Sequence, residues 1–228
     1  MPIFTWTGCY IGGHVGGGFG RKDFSDTPTH GFVGGTSAPQ SIQEDTSGFL
    51  GGGQVGCDYQ FAPNWLVGIQ GSGSGADIKG DVLDPFFTYA KHFRARTDWL
   101  ANVTGRIGWT WDRWMIYGKG GVAWAGDKYD GDEPGFIFYA SERRTGFVVG
   151  VGLEWAFWNN WSAFLEYDFY GFGTRTVEYV ICGSTCNFNN PHTLTDIKQD
   201  INVVKFGINY RFNWGKAPIG KGPVVAKY

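Results

Sequence analysis

Along Val204, Phe206, Ile208, Tyr210 and Phe212 every second residue is apolar, while Lys205, Asn209 and Arg211 fall between them. A period of two sends these sets to opposite faces of a strand. The same alternation predicts eight strands, at 7–20, 47–61, 65–77, 94–110, 114–126, 144–157, 161–172 and 199–212. Between them, long polar segments at 21–46, 77–93, 127–141 and 173–196 read as loops. They alternate with short breaks at Ala62-Pro63-Asn64, Trp111-Asp112-Arg113 and Trp158-Asn159-Asn160. Long loops on one rim and tight turns on the other predict an all-β fold, an eight-stranded antiparallel up-and-down transmembrane barrel. In a bacterial outer membrane the loops would then be extracellular, and the turns and both termini periplasmic. The barrel is expected over 1–212, with 213–228 a flexible periplasmic tail bearing Lys216, Lys221 and Lys227.

Parity assigns the outer face. It takes Cys9, Ile11, Val15 and Phe19 on the first strand, Trp99, Val103, Ile107 and Trp109 on the fourth, and Phe147, Val149, Val151 and Leu153 on the sixth. Trp6, Trp65, Trp111, Trp114, Trp158, Trp161 and Trp214 cluster beside short turns or a terminus. Indole favours the boundary between water and lipid, so these tryptophans predict an aromatic girdle on the turn rim. Asp200 and Asn202 break the pattern on the outer parity of the last strand. Either the hydrocarbon zone begins near Val204, or a bulge switches faces there.

The inner parity holds Arg106, Lys119, Lys205 and Arg211 together with Asp58, Glu154, Glu166 and Asp168, four charges of each sign. Eight strands enclose only enough room for their own side chains. Buried charges must pair, because an isolated ion out of water costs several kcal/mol. The expected outcome is an ionic network that plugs the lumen and fixes register. A gated pore or proton path is the rival. Paired carboxylates also serve glycosidases, but those need a cleft around a substrate, and a filled barrel offers none.

Composition adds little beyond this. Aromatic residues make up 18%, Gly numbers 38, and the net charge of −2 gives no reason to expect a nucleic-acid partner. No run of about 18 apolar residues exists to form a transmembrane helix, whereas a spanning strand needs only about 10. The opening MPIFTWTG lacks a basic and then apolar leader, so for an exported barrel it reads as a mature or trimmed form. The glycine runs, such as Gly16-Gly17-Gly18, lack the helix and Lys of a phosphate loop. A soluble carrier barrel would need the apolar parity inside, and its loops would be unusually long.

Several motifs carry a resemblance. Trp6-Thr7-Gly8-Cys9-Tyr10-Ile11-Gly12-Gly13, Gly105-Arg106-Ile107-Gly108, Gly120-Gly121-Val122-Ala123, Gly150-Val151-Gly152-Leu153-Glu154 and Gly207-Ile208-Asn209-Tyr210-Arg211-Phe212 follow one another in order. Over about 7–212 the chain resembles the alphaproteobacterial outer-membrane immunogenic proteins, OmpA-like eight-stranded barrels also called porin family proteins. The resemblance implies an abundant surface protein, at times a surface antigen, that helps hold the envelope together. It also implies an assembly signal at Tyr210 and Phe212, read by the barrel-assembly machinery. Some relatives bind haem. This chain departs from the pattern by running on past Phe212 to Tyr228.

Cys182 and Cys186 flank three residues, and an oxidising compartment favours a disulfide between them over a metal site. Cys9 and Cys57 lie on adjacent strands with the same parity. Free lipid-facing thiols are the favoured reading there, with a cross-strand bridge as the alternative. His14 falls on the lumen side, and His30, His92 and His192 fall in the expected loops. Four scattered histidines do not predict haem binding; no cofactor and no metal is expected.

The function expected is that of a non-enzymatic structural barrel with a non-conducting lumen. Its partners would be outer-membrane lipids and lipopolysaccharide, the assembly machinery and neighbouring envelope proteins. The alternatives are a narrow channel for ions or small solutes, and surface haem or ligand binding through the loops. A lipid-modifying enzyme would need a Ser/His/acid cluster at one rim, and none assembles from the sequence.

Overall fold

A computed structural model describes residues 4–26, 41–83, 92–133, 136–182 and 192–212. The eight strands are β1 (Gly8–Asp26), β2 (Ser41–Ala62), β3 (Trp65–Leu83), β4 (His92–Trp111), β5 (Trp114–Glu133), β6 (Phe136–Trp155), β7 (Trp161–Cys182) and β8 (His192–Phe212). Each pairs antiparallel with its neighbours in sequence, and β1 closes onto β8. Closure leaves no free sheet edge, which a wall immersed in lipid requires.

The turn-side ends lie where the alternation places them. The other ends run further than expected: β6 begins at Phe136 rather than 144, and β7 continues to Cys182 rather than 172. Much of each segment read as loop is therefore barrel wall. His92 and His192, expected in loops, open β4 and β8. The reason lies in the outward positions, which become polar there. Outward Asp77 and Lys79 on β3 continue the ladder begun by Trp65, Val67 and Ile69, but charged residues hide a strand whose signal is apolar alternation.

Side-chain parity holds along most of the described wall and shifts only at bulges, at Asp98 of β4 and between Gly171 and Thr174 of β7. Ile11, Val15, Phe49, Val55, Ile69, Ile107, Val151, Leu165 and Phe206 all face outward and exposed. Asn202 and Asp200 also face outward, while Val203, Ile201 and Gln199 face inward, so no bulge switches β8. The apolar belt ends near Val204. Above it, the outer wall carries ion pairs: Arg21 with Asp45, Lys79 and Arg96 with Asp77, Arg96 and Lys128 with Asp98, and Lys198 with Asp200.

The tight turns are sewn to neighbouring strands. Asn64 donates through Nδ2 to the Thr110 carbonyl at 2.7 Å, and the Thr110 N–H returns a bond to the Asn64 carbonyl at 2.8 Å. Asn160 likewise exchanges bonds with Arg211. Asp112 occupies the left-handed region at φ 52°, which a short polar side chain tolerates in a two-residue turn. The widest break in the ladder lies between β6 and β7, which are unpaired between Tyr139 and Phe147 of β6 and resume at Gly171 of β7; shorter register shifts fall at Gln60/Ala62, Gly75/Ile78, Thr97/Trp99 and Gly171/Thr174.

Candidate functional site

The interior is the candidate site, because nearly every buried charge converges there. The structure divides the eight expected charges into two separate tetrads. In the first, Arg106 Nε donates to Asp58 Oδ1 at 2.7 Å and its Nη2 donates to Asp58 Oδ2, a bidentate fork. Arg211 Nη1 reaches the same carboxylate at 2.7 Å. Both guanidinium groups also approach Glu154 at 3.5 Å. The Tyr10 ring sits against both, with guanidinium carbons 4.8 and 5.1 Å from its centre. Ser162 Oγ at 2.5 Å and Asn209 Nδ2 at 3.1 Å donate to Glu154 Oε1.

The second tetrad is a square of two ammonium groups and two carboxylates. Lys119 lies 2.7 Å from Glu166 and 3.0 Å from Asp168; Lys205 lies 2.6 Å from Glu166 and 2.8 Å from Asp168. Tyr117 links the two layers. Its ring lies 4.9 Å beneath Arg106, and its hydroxyl donates to Glu166 Oε2 at 2.7 Å. Each tetrad carries equal positive and negative charge, so neither leaves an uncompensated ion in the barrel. Gln54, Gln70 and Asn209 form a connected amide chain beside them, and His14 pairs with Ser74 at 2.7 Å.

Glycine makes the space. At Gly150 a Cβ would collide with the Asp168 carboxylate and lie 3.1 Å from Lys119. At Gly68 it would meet the Asp58 carboxylate. These positions must stay bare for the carboxylates to reach their partners.

Two features of the interior escape sequence reading. Beyond the lysine tetrad lies an apolar layer of Leu50, Ala76, Ile78, Leu100, Val148, Tyr170, Phe172, Ile201 and Val203. Beyond that lies a third ionic cluster, in which Asp127 receives Lys22 at 3.6 Å, Arg144 at 3.3 Å and the Thr97 hydroxyl at 2.5 Å. Lys22 and Asp127 belong to segments expected to be loops, and Arg144 opens the expected sixth strand; only knowledge of the longer strands would have found the cluster.

Trp6 is a correction. Expected in the girdle, it is 1% exposed and packs with Leu66, Met115, Tyr117 and Ala156 across the turn-side mouth. Its carbonyl accepts Arg211 Nη1 at 2.6 Å, and its ring lies 5.2 Å from that guanidinium. The preference for boundary indoles misplaces it, because the segment before β1 folds under the barrel. Trp65, Trp111, Trp114, Trp158 and Trp161 are exposed at the turn rim. Trp109 and Trp155 join them in a row of ring contacts, with Trp111–Trp114 at 6.4 Å and Trp114–Trp155 at 5.5 Å. Tyr210 and Phe212 continue it beside Trp161 at centroid spacings of 5.0 and 5.2 Å. Trp214 and the tail lie outside the described residues.

The cysteines bring a second correction. Cys9 and Cys57 stand directly opposite across β1 and β2, with Cα atoms 3.9 Å apart, and form a disulfide instead of two free thiols. Direct cross-strand partners have the Cβ proximity a bridge needs. The expected Cys182–Cys186 bridge lies outside the described residues, as does His30.

The chain is 28% identical over 222 residues to the 31 kDa outer-membrane immunogenic protein of Brucella melitensis, covering 93% of this chain and 86% of that one. It is 27% identical over 214 residues to the 22 kDa outer membrane protein of Rhizobium leguminosarum bv. viciae, covering 92% and 80%. Among solved structures, the barrel resembles the outer membrane protein OprG from Pseudomonas aeruginosa, with TM-score 0.52, 16% identity and coverage of 93% and 99%. It also resembles the outer membrane protease OmpT from Escherichia coli, with TM-score 0.55, 8% identity and the same coverage; at such identities the likeness is one of fold alone. Residues 5–213 match the outer membrane protein beta-barrel domain, and the chain belongs to that outer-membrane family.

Proposed function

We propose that this protein is a non-enzymatic structural barrel whose lumen conducts neither ions nor solutes, and that it contributes to envelope integrity. The observation carrying this reading is the stacking of fillings along the lumen. The Trp6 cluster, two neutral tetrads and an apolar layer succeed one another. An ion crossing the apolar layer would lose its hydration with nothing to replace it. The carboxylates of Asp58, Glu154, Glu166 and Asp168 are each held by two cations, an arrangement for cohesion and not for proton transfer to a substrate.

In this reading the turn rim, with its row of tryptophans, faces the periplasm, and the charged collar and loops face outward. Tyr210 and Phe212, on the outer surface of the closing strand, are accessible to the assembly machinery during insertion. Outer-membrane lipids, lipopolysaccharide and neighbouring envelope proteins are the partners. Planar-bilayer recording of the purified full chain tests the sealed lumen: a silent bilayer is expected, and stable unitary steps would contradict it.

A further inference from the structure

The Cys9–Cys57 bond stands on the outer wall of the barrel. Cys57 is exposed there and Cys9 half-buried. Their outward neighbours are aliphatic or aromatic: Ile11 along β1, Val55 and Tyr59 along β2, Ile69 across on β3 and Phe212 across on β8, all exposed. The ladder row that starts at Phe212, on the turn-side end of β8, runs through Cys9 and Cys57, climbs round the barrel and returns to β8 at Asn202. The row crosses the whole apolar belt, and the cysteine pair sits within its turn-side part.

In lipid such a bond cannot be made by thiol exchange. The attacking group is a thiolate, and hydrocarbon gives an anion no hydration. Arg106 and Arg211 are cations that could stabilise one, but they lie inside the barrel. They are held there by Asp58, which follows Cys57 and faces the lumen. A protein donor is excluded a second time by its size, because its reactive sulfur would have to reach Cys9 or Cys57 through the surrounding lipid. Before insertion neither obstacle exists. β1 and β2 are consecutive strands, the two cysteines are 48 residues apart, and joining them requires no other strand.

We infer that the Cys9–Cys57 bond is made in the aqueous periplasm, before the chain enters the membrane, by a thiol oxidoreductase that carries a reactive disulfide. The inference rests on the membrane placement proposed above. The thiolate of one cysteine attacks a donor sulfur and displaces the donor's other sulfur as a thiolate, leaving a mixed disulfide. The second cysteine's thiolate then attacks the first cysteine's sulfur and displaces the donor's remaining sulfur. Two protons and two electrons leave the pair, and the donor ends as a dithiol. The product is a β1–β2 hairpin in fixed register. Across this hairpin Gly13 stands opposite Gly53 and Gly18 opposite Gly48, pairs with no side chains to resist a slip. The bond admits one register, and so fixes which residues of β1 meet β8 at closure. Tyr10 then meets Arg211, and Gly12 and Gly16 come where a Cβ would strike the Asn209 side chain and the Val204 carbonyl.

The test uses the full chain with Cys182→Ser and Cys186→Ser, so that thiol counts report only this pair. The reduced chain is offered oxidised glutathione, once unfolded in urea and once folded in phosphatidylcholine vesicles. Free thiols are counted with a maleimide after acid quenching and unfolding. Oxidation is expected to slow at least about a hundredfold on folding into the vesicles, because the attacking thiolate must form without water. Copper phenanthroline, a lipid-soluble oxidant, should close the bond in the same vesicles; its failure would mean that the thiols do not face one another and would overturn the assignment. A second reading does not depend on folding the reduced chain. The oxidised barrel in vesicles should keep its bond in a charged phosphine that fully reduces the unfolded chain, and loss of the bond there would overturn the proposal. In Gram-negative cells depleted of the barrel-assembly machinery, the uninserted chain should already carry the bond. Free thiols in that pool, or equal oxidation rates in urea and in vesicles, would overturn the order of events. A chain that never gains heat-modifiable gel mobility in vesicles would instead strike the membrane reading beneath it.

Discussion

The two halves of β8 obey opposite rules. From Phe212 to Val204 the outward residues are apolar and the inward ones include Arg211, Asn209 and Lys205. From Asn202 to Lys198 the outward residues are polar or charged, and Val203, Ile201, Gln199 and Ile197 point inward and are buried, three of the four apolar. Strand β3 repeats this: Trp65, Val67 and Ile69 face out below, Asp77 and Lys79 face out above, and Ala76 and Ile78 point in. The backbone ladder runs through the change without a switch of face on β8. What changes is the medium outside. Against lipid, the exterior must be apolar and the barrel can hide its charges only inside. Against water, the exterior turns polar and the interior gains an apolar layer, with the Lys22, Arg144 and Asp127 cluster buried beyond it. At about 3.4 Å per residue and a tilt of roughly 40°, the Phe212–Val204 stretch spans about 21 Å of membrane depth, near the apolar height of such barrels.

The largest effect should come from unbalancing the ionic half. Lys205→Met leaves the lysine tetrad with two carboxylates and one ammonium group. It should cost about 3–5 kcal/mol, the range for breaking one partner of a buried ion pair. Adding Glu166→Gln restores neutrality and should recover part of that loss, as read from urea unfolding of the protein in detergent. If the single and double variants match, charge balance is not what holds the layer.

Next comes the boundary itself. Phe206→Arg puts a cation on the lipid face and should cost about 2–4 kcal/mol, whereas Asp200→Arg, a few residues further on, should cost about 1 kcal/mol or less. Equal penalties would erase the distinction between the halves. A smaller change is expected at the Cys9–Cys57 disulfide. The facing segments Gly12–Gly18 and Gly48–Gly56 are rich in glycine, and strands with few side chains specify their register weakly. Replacing both cysteines with Ser should lower stability by about 2 kcal/mol, seen as an earlier loss of heat-resistant gel mobility. No change would mean the ladder alone fixes the register.

The smallest effect belongs to the exposed collar. The Lys79 hydrogen bond holds the Asp77 carboxyl below its ordinary range. A depressed carboxylate contributes above its unfolded value and loses that contribution as pH falls through the folded one. Any contribution from Asp77 is therefore complete above about pH 4 and fades only in stronger acid. Because the group is exposed, Asp77→Asn should leave the unfolding midpoint at neutral pH within error. A clear drop would show that the collar shares the energetics of the buried tetrads.

How much of this was legible follows from the same contrast. In the belt, alternation of large apolar residues with charged ones gives strand, face and partner together, so Arg106, Lys119, Glu154, Glu166, Lys205 and Arg211 can be assigned to the lumen from parity. Their division between two tetrads could not be read, because it depends on which side chains reach across the barrel. Above the belt the code inverts. Asp77, Lys79 and Asp127 look like loop residues, and Ile78 and Ile201 look like isolated hydrophobic residues within them. Trp6 was misplaced because its chemistry suits both a lipid boundary and a packed cap, and only the path of the chain before β1 decides between them.

The most direct test of the inversion is a nitroxide scan along the outward face of β8 at positions 206, 204, 202, 200 and 198. It would use reconstituted bilayers, with Cys182 and Cys186 replaced by Ser and the Cys9–Cys57 bond left oxidised. Collision with oxygen should dominate at 206 and 204, and collision with a water-soluble nickel chelate at 200 and 198, with the crossover at 202. A lipid-like signature persisting to 198, or a water-like one at 206, would contradict the account.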